Sequence, residues 1–261
     1  MGKKVGFVPT MGALHPGHLA LIKEAKKRVD IVVSSIFVNP KQFDKKEDLD
    51  KYPRQEEKDV ELLKQAGCDI IYIPDEKDIY TSTHKNIPLD IHHLEKVYEG
   101  EKRKGHFDGV VQVLYQLFDI VKPNIVLFGQ KDYQQCLVVK SILKTYFKQI
   151  EMVICPTIRN KEGLALSSRN QRLSQKGLNE SSYLNKGLNL AITLYERFVP
   201  EQALAFAKTY MESNAIEIEY IDFADADTLK SFREWEEIPK NKIIVVAAYV
   251  EGVRLIDNML F

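Results

Sequence analysis

The sequence predicts an α/β protein: a Rossmann-like parallel sheet in an N-terminal domain, residues 1–157, and a smaller α+β lid domain, residues 158–261. Three observations carry this reading. Short, β-branched-rich runs with few polar positions alternate with helix-period stripes through about residue 157. Polar loops follow three of those runs, and ligands gather at the carboxyl ends of strands in open α/β sheets. Past Pro156 the alternation stops, and a polar, basic stretch leads into two helical segments and then strands.

The first candidate strand, Val5–Val8, leads into TMGALHPGH, residues 10–18. Gly12 and Gly17 lack Cβ atoms, so a sharp bend is expected whose N–H groups a ligand can approach. Leu19, Ile22, Ala25 and Val29 form a helical stripe starting at His18. The first amides of a helix have no internal partners and carry the positive end of its dipole, so phosphate suits that place. His15 and His18 are three apart, on one side of the opening turn, where imidazoles can donate to phosphoryl oxygens. Other readings compete. Gly12 and Gly17 have the GxxxxG spacing of a P-loop, but His18 and Leu19 replace its Lys and Ser/Thr. A zinc pair would need a third ligand, and no HExxH is present. A glycine turn with capping histidines is the plainest alternative.

The other candidate strands are Ile31–Val38, Ile70–Ile73, Ile125–Phe128 and Glu151–Ile154, each suited to burial on both faces of a parallel sheet. NPKQF, residues 39–43, follows the second strand, and GQKDYQQ, residues 129–135, follows the fourth. Three further helices are expected between strands. Gln55–Ala66 carries Val60, Leu63 and Ala66 and ends at Gly67. Phe107–Val121 has Val110, Val111, Leu114, Leu117, Phe118 and Val121 on one face before Pro123. Asp132–Tyr146 repeats the pattern with Leu137, Val138 and Leu143. Residues 157–174, TIRNKEGLALSSRNQRLS, read as irregular, and residues 157–170, polar and carrying Gly163, as mobile until a ligand orders them. Ser174 caps a helix to about Phe198, and Glu201–Ser213 forms another. Strands follow at Ile216–Phe223, Ile243–Val250 and Val253–Ile256, the last two joined by a turn at Glu251-Gly252.

Composition excludes several classes. Lys+Arg and Asp+Glu are both 37, and a net charge of zero argues against a nucleic-acid partner. Cys68, Cys136 and Cys155 form no CxxC pair, which suggests reduced thiols and a cytoplasmic home. Apolar runs such as IIVVAAYV, residues 243–250, are too short to cross a bilayer, so no membrane association is expected. MGKKVGFV lacks the apolar core of a signal peptide, and Gly6 breaks the myristoylation pattern.

TMGALHPGH, FVNPKQF, GHFDGV, FGQKDYQQ and LALSSRN, in this order, resemble the pantothenate synthetase (pantoate–β-alanine ligase) family. RLIDN at residues 254–258 extends the resemblance nearly to the end. The HxGH element is shared with the wider nucleotidyltransferase superfamily that includes class I aminoacyl-tRNA synthetases. The resemblance implies a ligase that joins (R)-pantoate to β-alanine with ATP and Mg²⁺ through a pantoyl-adenylate, releasing pyrophosphate and AMP. It also implies a homodimer.

By the same resemblance, Met11, Gly12, His15, Gly17 and His18 meet the ATP phosphates, with His18 as proton donor titrating near its ordinary pKa of about 6.5. Gly129, Gln130, Lys131 and Asp132 match the nucleotide-binding loop, with Lys131 directed to phosphate. Ser167, Ser168 and Arg169 match a phosphate clamp, and Ile158 and Leu166 flank adenine through their backbone. The catalytic set is then His15, His18, Lys131 and Arg169. Gln42 and Gln135 match the pantoate-binding glutamines, and no side chain is assigned as a metal ligand. His106 and Arg103 lie in a family-like stretch and are expected to support the substrate site, whereas His84, His92 and His93 read as surface histidines. Asp44-Lys45 stands where Gly-Pro is common, Lys104 and Thr81 each stand where Pro is frequent, and the usual leader before the first strand is short. Alternative functions are another nucleotidyltransferase of the superfamily or a catalytically silent nucleotide-binding module. Intact His18, Lys131 and Arg169 count against silence.

Overall fold

Val- and Ile-rich runs bury both faces only when helices cover them on either side. The computed structural model describes residues 2–44, 46–81, 86–235 and 238–261; Lys45, His84 and the His92 side chain, all singled out above, lie outside the described residues. The chain divides into two compact units, Met1–Pro156 and Thr157–Phe261, one residue before the boundary expected.

In the first unit, β1 (Val5–Thr10), β2 (Ile31–Ile36), β3 (Ile70–Tyr72), β4 (Ile125–Gly129) and β5 (Glu151–Cys155) form a parallel sheet in the order β3-β2-β1-β4-β5. Around it run α1 (Pro16–Lys26), α2 (Lys46–Asp50), α3 (Glu56–Ala66), α4 (Glu76–Ile79), α5 (His92–Glu95), α6 (Tyr98–Lys102), α7 (His106–Val121) and α8 (Tyr133–Tyr146). Alternate residues of β1 face opposite layers. Val8 joins Ile22 and Ala25 of α1 and Leu63 of α3 in one apolar cluster. Phe7 packs edge-on against Phe118 of α7 at 6.3 Å, and Phe118 meets Phe147 in turn. The chain moves outward from β1 to β2 and β3, then returns to lay β4 on the other side of β1. That reversal makes the carboxyl ends of β1 and β4 the topological switch point, where open α/β sheets bind ligands.

Several boundaries differ from the sequence expectation for local reasons. The first helix starts at Pro16 rather than His18, because Pro is pre-organised for the first helical position and His15 caps it. β2 stops at Ile36, before Val38, since Pro40 opens a 3₁₀ turn whose Lys41 amide is capped by the Asn39 side chain. A second 3₁₀ turn, Gln130–Asp132, delays α8 to Tyr133. The short helices α2, α4, α5 and α6 were not expected; each is too brief to show a helical period. Asp44, Thr81 and Lys104, the described departures from the family pattern, are all exposed.

The second unit holds a 3₁₀ turn (Ser168–Arg172), α9 (Gln175–Tyr195), α10 (Pro200–Glu212) and the antiparallel sheet β6 (Glu217–Asp225), β7 (Lys242–Val250) and β8 (Val253–Leu260), in the order β6-β7-β8. Ser174 caps α9 as expected, its hydroxyl accepting from the Gly177 amide at 3.1 Å. Leu184, Leu188 and Ala191 of α9 pack with Ala203, Leu204 and Ala207 of α10 over Ile244, Val246 and Ala248 of β7. Glu251 (φ 49°) and Gly252 (φ 73°) make a two-residue turn with both central φ positive, the geometry that matches strand twist and keeps β7 and β8 in register. β8 therefore runs on to Leu260, beyond the expected Ile256.

The stretch expected to be irregular is a closed hairpin. Asn160 and Leu166 amides bond to the Leu164 and Ile158 carbonyls, each at 2.9 Å, and Arg159 pairs with Ala165 across it. Arg159 then forks onto Asp257 of β8, at 2.5 and 2.9 Å, where the Asp257 side chain is 2% exposed. Leu164 and Ala165 are buried. These contacts give residues 158–166 a defined hydrogen-bond pattern where polarity and Gly163 suggested an irregular stretch.

Candidate active site

The loop from β1 to α1 is built by its own amides. Thr10 Oγ1 donates to the Ser35 carbonyl at 2.6 Å and accepts from the Gly12 amide at 3.2 Å. The buried carboxylate of Asp59, on α3, accepts from the Ala13 and Leu14 amides, each at 2.8 Å. His15 Nδ1 accepts from the Gly17 amide at 3.1 Å, and His18 Nδ1 accepts from the His15 amide at 3.3 Å, so the two rings form a reciprocal cap on α1. The His18 and Leu19 amides turn back to the His15 carbonyl. Every N–H from Gly12 to Leu19 is thereby engaged, Pro16 having none.

This corrects the expectation of an open amide cradle. The glycines serve close approach instead. A Cβ at Gly12 would stand 2.9 Å from Asp59 Oδ2, and one at Gly17 would stand 2.8 Å from the His15 ring.

The capping bonds also set the chemistry of the histidines. A ring nitrogen that accepts from an amide carries no proton, so each neutral ring bears its hydrogen on Nε2. Burial, with Lys131 nearby, pushes His15 down to about 4. Burial, with His15 beside it, pushes His18 down to about 3, and Asp132 offsets only part of either shift. The expectation that His18 titrates near 6.5 is therefore overturned. The free protein presents two neutral Nε2–H donors with ring centroids 4.0 Å apart.

Across the switch point, β4 delivers Gly129, Gln130, Lys131 and Asp132. Lys131 Nζ lies 3.3 Å from Asp132 Oδ1; its side chain is largely covered, whereas that of Asp132 is half exposed. Both influence His15 and His18, so the β1 and β4 loops share one electrostatic environment.

The NPKQF turn supplies Gln42, which is buried. Its Oε1 accepts from Asn39 Nδ2 at 3.1 Å, and its Nε2 donates to Met11 Sδ at 2.8 Å, tying this turn to the β1 loop. Asn39 is itself fixed, donating to the Gly109 carbonyl at 3.0 Å and accepting from the Tyr80 hydroxyl at 2.7 Å. A Cβ at Gly109 would run into the Lys41 carbonyl, so α7 presses directly on this turn. His106 Nδ1 donates to the Gln42 carbonyl at 2.8 Å, and Arg103 Nη1 donates to His106 Nε2 at 3.0 Å. Those two bonds require a neutral ring, and burial beside Arg103 pushes His106 down to about 3. His106 and Arg103 thus hold the backbone beneath Gln42.

Gln135 is half-buried on α8 with no hydrogen-bond partner among the described residues. Its neighbour Gln134 is structural, bonding the Glu99 amide and the Leu94 and Val97 carbonyls. In the second unit, the Leu166 amide donates to the Ile158 carbonyl at 2.9 Å, which leaves that carbonyl its second lone pair. Ser167 Oγ accepts from the Arg169 amide at 3.2 Å and caps the turn carrying Ser168 and Arg169.

Asp59, Asn39 and Asp257 went unassigned in the sequence. Asp59 left a readable signal: with Leu63 and Ala66 it lies on the apolar stripe of α3, where a lone carboxylate needs partners. Asn39 and Asp257 sat inside quoted motifs, but their partners are far away in sequence.

Comparison with known proteins agrees over the whole chain. The family model described as "Pantoate-beta-alanine ligase" matches residues 1–260. The pantothenate synthetase of Cytophaga hutchinsonii is 45% identical over 260 residues, covering 98% of this chain and 91% of that protein. That of Christiangramia forsetii is 41% identical, covering 99% and 92%. Among solved structures, pantothenate synthetase from Thermus thermophilus superposes with a TM-score of 0.91 at 36% identity, covering 98% of this chain and 92% of that one. A pantoate-β-alanine ligase from Francisella tularensis, complexed with "Beta-gamma ATP and Beta-alanine", gives 0.79 at 36% identity, covering 99% and 90%. The sheet order, the motif loops at the switch point and these matches agree: the chain belongs to the pantoate–β-alanine ligase family.

Proposed function

We propose that the chain condenses (R)-pantoate with β-alanine by way of a pantoyl-adenylate, using ATP as its Mg²⁺ complex. The observation that carries this reading is the meeting of two neutral imidazole donors, the Lys131 cation and the buried Gln42 amide around one sheet edge. A pantoate carboxylate oxygen attacks the α-phosphorus, the bond to the bridging oxygen breaks, and pyrophosphate leaves. The β-alanine amine then attacks the acyl carbon, loses a proton, and AMP departs with the carbon–oxygen bond electrons.

Neither step needs a protein nucleophile. The cysteines offer none: burial raises Cys68 to about 11 and also raises Cys136 and Cys155, leaving negligible thiolate at neutral pH. The protein's part is orientation and charge. Nε2–H groups locked by helix caps donate to phosphoryl oxygens without reorganising, the arrangement that makes electrostatic stabilisation large. Lys131 adds a point charge. Asp132 is a carboxylate suited to a Mg²⁺ ion that arrives on the nucleotide, since Mg²⁺ commonly takes one or two carboxylates plus substrate phosphates. Gln42 keeps one N–H and one lone pair beyond its internal bonds, enough to read a hydroxyl and a carboxylate without a cation locking the nucleophile. Ser167, Ser168 and Arg169 are assigned to phosphate, Gln135 to pantoate and the homodimer to the assembly by family resemblance.

Pyrophosphate–ATP exchange tests the order of chemistry. Exchange should require pantoate and Mg²⁺ but not β-alanine, and AMP release should require all three. Exchange that depends strictly on β-alanine would rule out the adenylate.

A further inference from the structure

Asp59 is a carboxylate on the apolar stripe of α3, one turn before the fully buried Leu63, and is itself only 1% exposed. A buried carboxylate without compensation is expensive. Among the described residues no cation pairs with Asp59; its compensation comes from amides. Oδ2 accepts from Ala13 N–H and Oδ1 from Leu14 N–H, each at 2.8 Å, and Gln55 Nε2 donates to Oδ1 at 3.3 Å.

The loop is shaped to receive it. Gly12 adopts φ 78°, and the missing Cβ is what lets Oδ2 approach. Ala13 follows at φ 50°, a left-handed conformation that a residue with a side chain keeps only when its surroundings impose it. His15 lies one residue beyond Leu14, and its ring begins the cap that orients His18.

We propose that Asp59 is a positioning residue for adenylate formation, holding residues 12–14 in the left-handed bend that aims the His15 and His18 Nε2–H groups at the nucleotide. The proposal rests on the ligase reading above and extends it to a side chain that touches no substrate.

The test separates the two half-reactions. Asp59→Asn is nearly isosteric but presents an NH₂ group to one of the two amides; Asp59→Glu keeps the charge and shifts it by a methylene. Pyrophosphate–ATP exchange should fall about 10²-fold in kcat for either variant, the loss expected when donors move by about an ångström. Aminolysis of chemically supplied pantoyl-adenylate by β-alanine should stay within about threefold of the parent, because no phosphoryl bond breaks in that step. In a His18→Ala background Asp59→Asn should cost less than it does alone, since both changes act through the same donor.

Three outcomes would overturn the proposal. They are unimpaired exchange, an equal fall in both half-reactions matching lost folded protein, and insolubility of both variants, which would make Asp59 purely structural. Absence of any pantoate-dependent exchange in the parent protein would fall on the ligase reading first and take this proposal with it.

Discussion

His18 has two tasks that compete for one ring. Its Nδ1 closes the cap on α1, and only the opposite nitrogen remains for a ligand. His18→Ala should therefore lower pyrophosphate–ATP exchange by about 10²–10³, the usual cost of one preorganised donor. Circular dichroism should show an intact fold, and near-normal turnover by the folded variant would remove His18 from the chemistry. Because kcat/KM reports groups of the free enzyme, and both rings sit at about 4 or below, its pH profile should lack a histidine limb near pH 6.5. Gln42 is buried and hydrogen-bonded to Asn39 and Met11. Gln42→Leu should raise KM for pantoate sharply while leaving ATP affinity by calorimetry unchanged. It should also weaken discrimination against the analogue lacking the 2-hydroxyl, since paired polar sites reject such analogues most strongly.

Elements were legible wherever a period could run its course. The stripes of α3, α7 and α9 and the β-branched runs of β1, β2 and β4 named themselves. What stayed hidden depended on partners distant in sequence. Residues 157–166 are polar, yet Arg159 reaches 98 positions ahead to Asp257 and converts them into a hairpin. In the β1 loop the capping histidines were one reading the sequence offered, but the engagement of the Ala13 and Leu14 amides by Asp59, 46 and 45 positions away, was not. Arg159→Ala should be costly, since it strands the Asp257 carboxylate, whose side chain is 2% exposed. Breaking a buried pair in this way typically costs about 3–5 kcal/mol. Urea unfolding of the variant should show that loss together with faster proteolysis between residues 157 and 166. A loss below about 1 kcal/mol, the range of exposed pairs, would show that the hairpin holds without the ion pair.

At the level of the whole molecule, three neutral histidines tie stability to pH. His106 is the most enclosed, donating to the Gln42 carbonyl and accepting from Arg103, with Glu99 and Asp132 pulling weakly the other way. Its folded pKa of about 3 lies below the unfolded value of about 6.5, so the unfolded chain binds the extra proton. The contribution is fully present above pH 6.5 and is lost as pH falls toward 3. Unfolding free energy from urea titrations should therefore decline between pH 6.5 and 5, by at most about 1.4 kcal/mol per pH unit for each such histidine. His106→Gln should flatten part of that slope. Everything proposed for the switch point turns on the protonation state of its histidine pair, and long-range ¹H–¹⁵N spectra of the imidazoles measure it directly. Between pH 6 and 8 the free protein should show His15 and His18 as neutral rings, Nε2 bearing hydrogen and Nδ1 unprotonated. Imidazolium signals at pH 6, or hydrogen on Nδ1 of either ring, would contradict it.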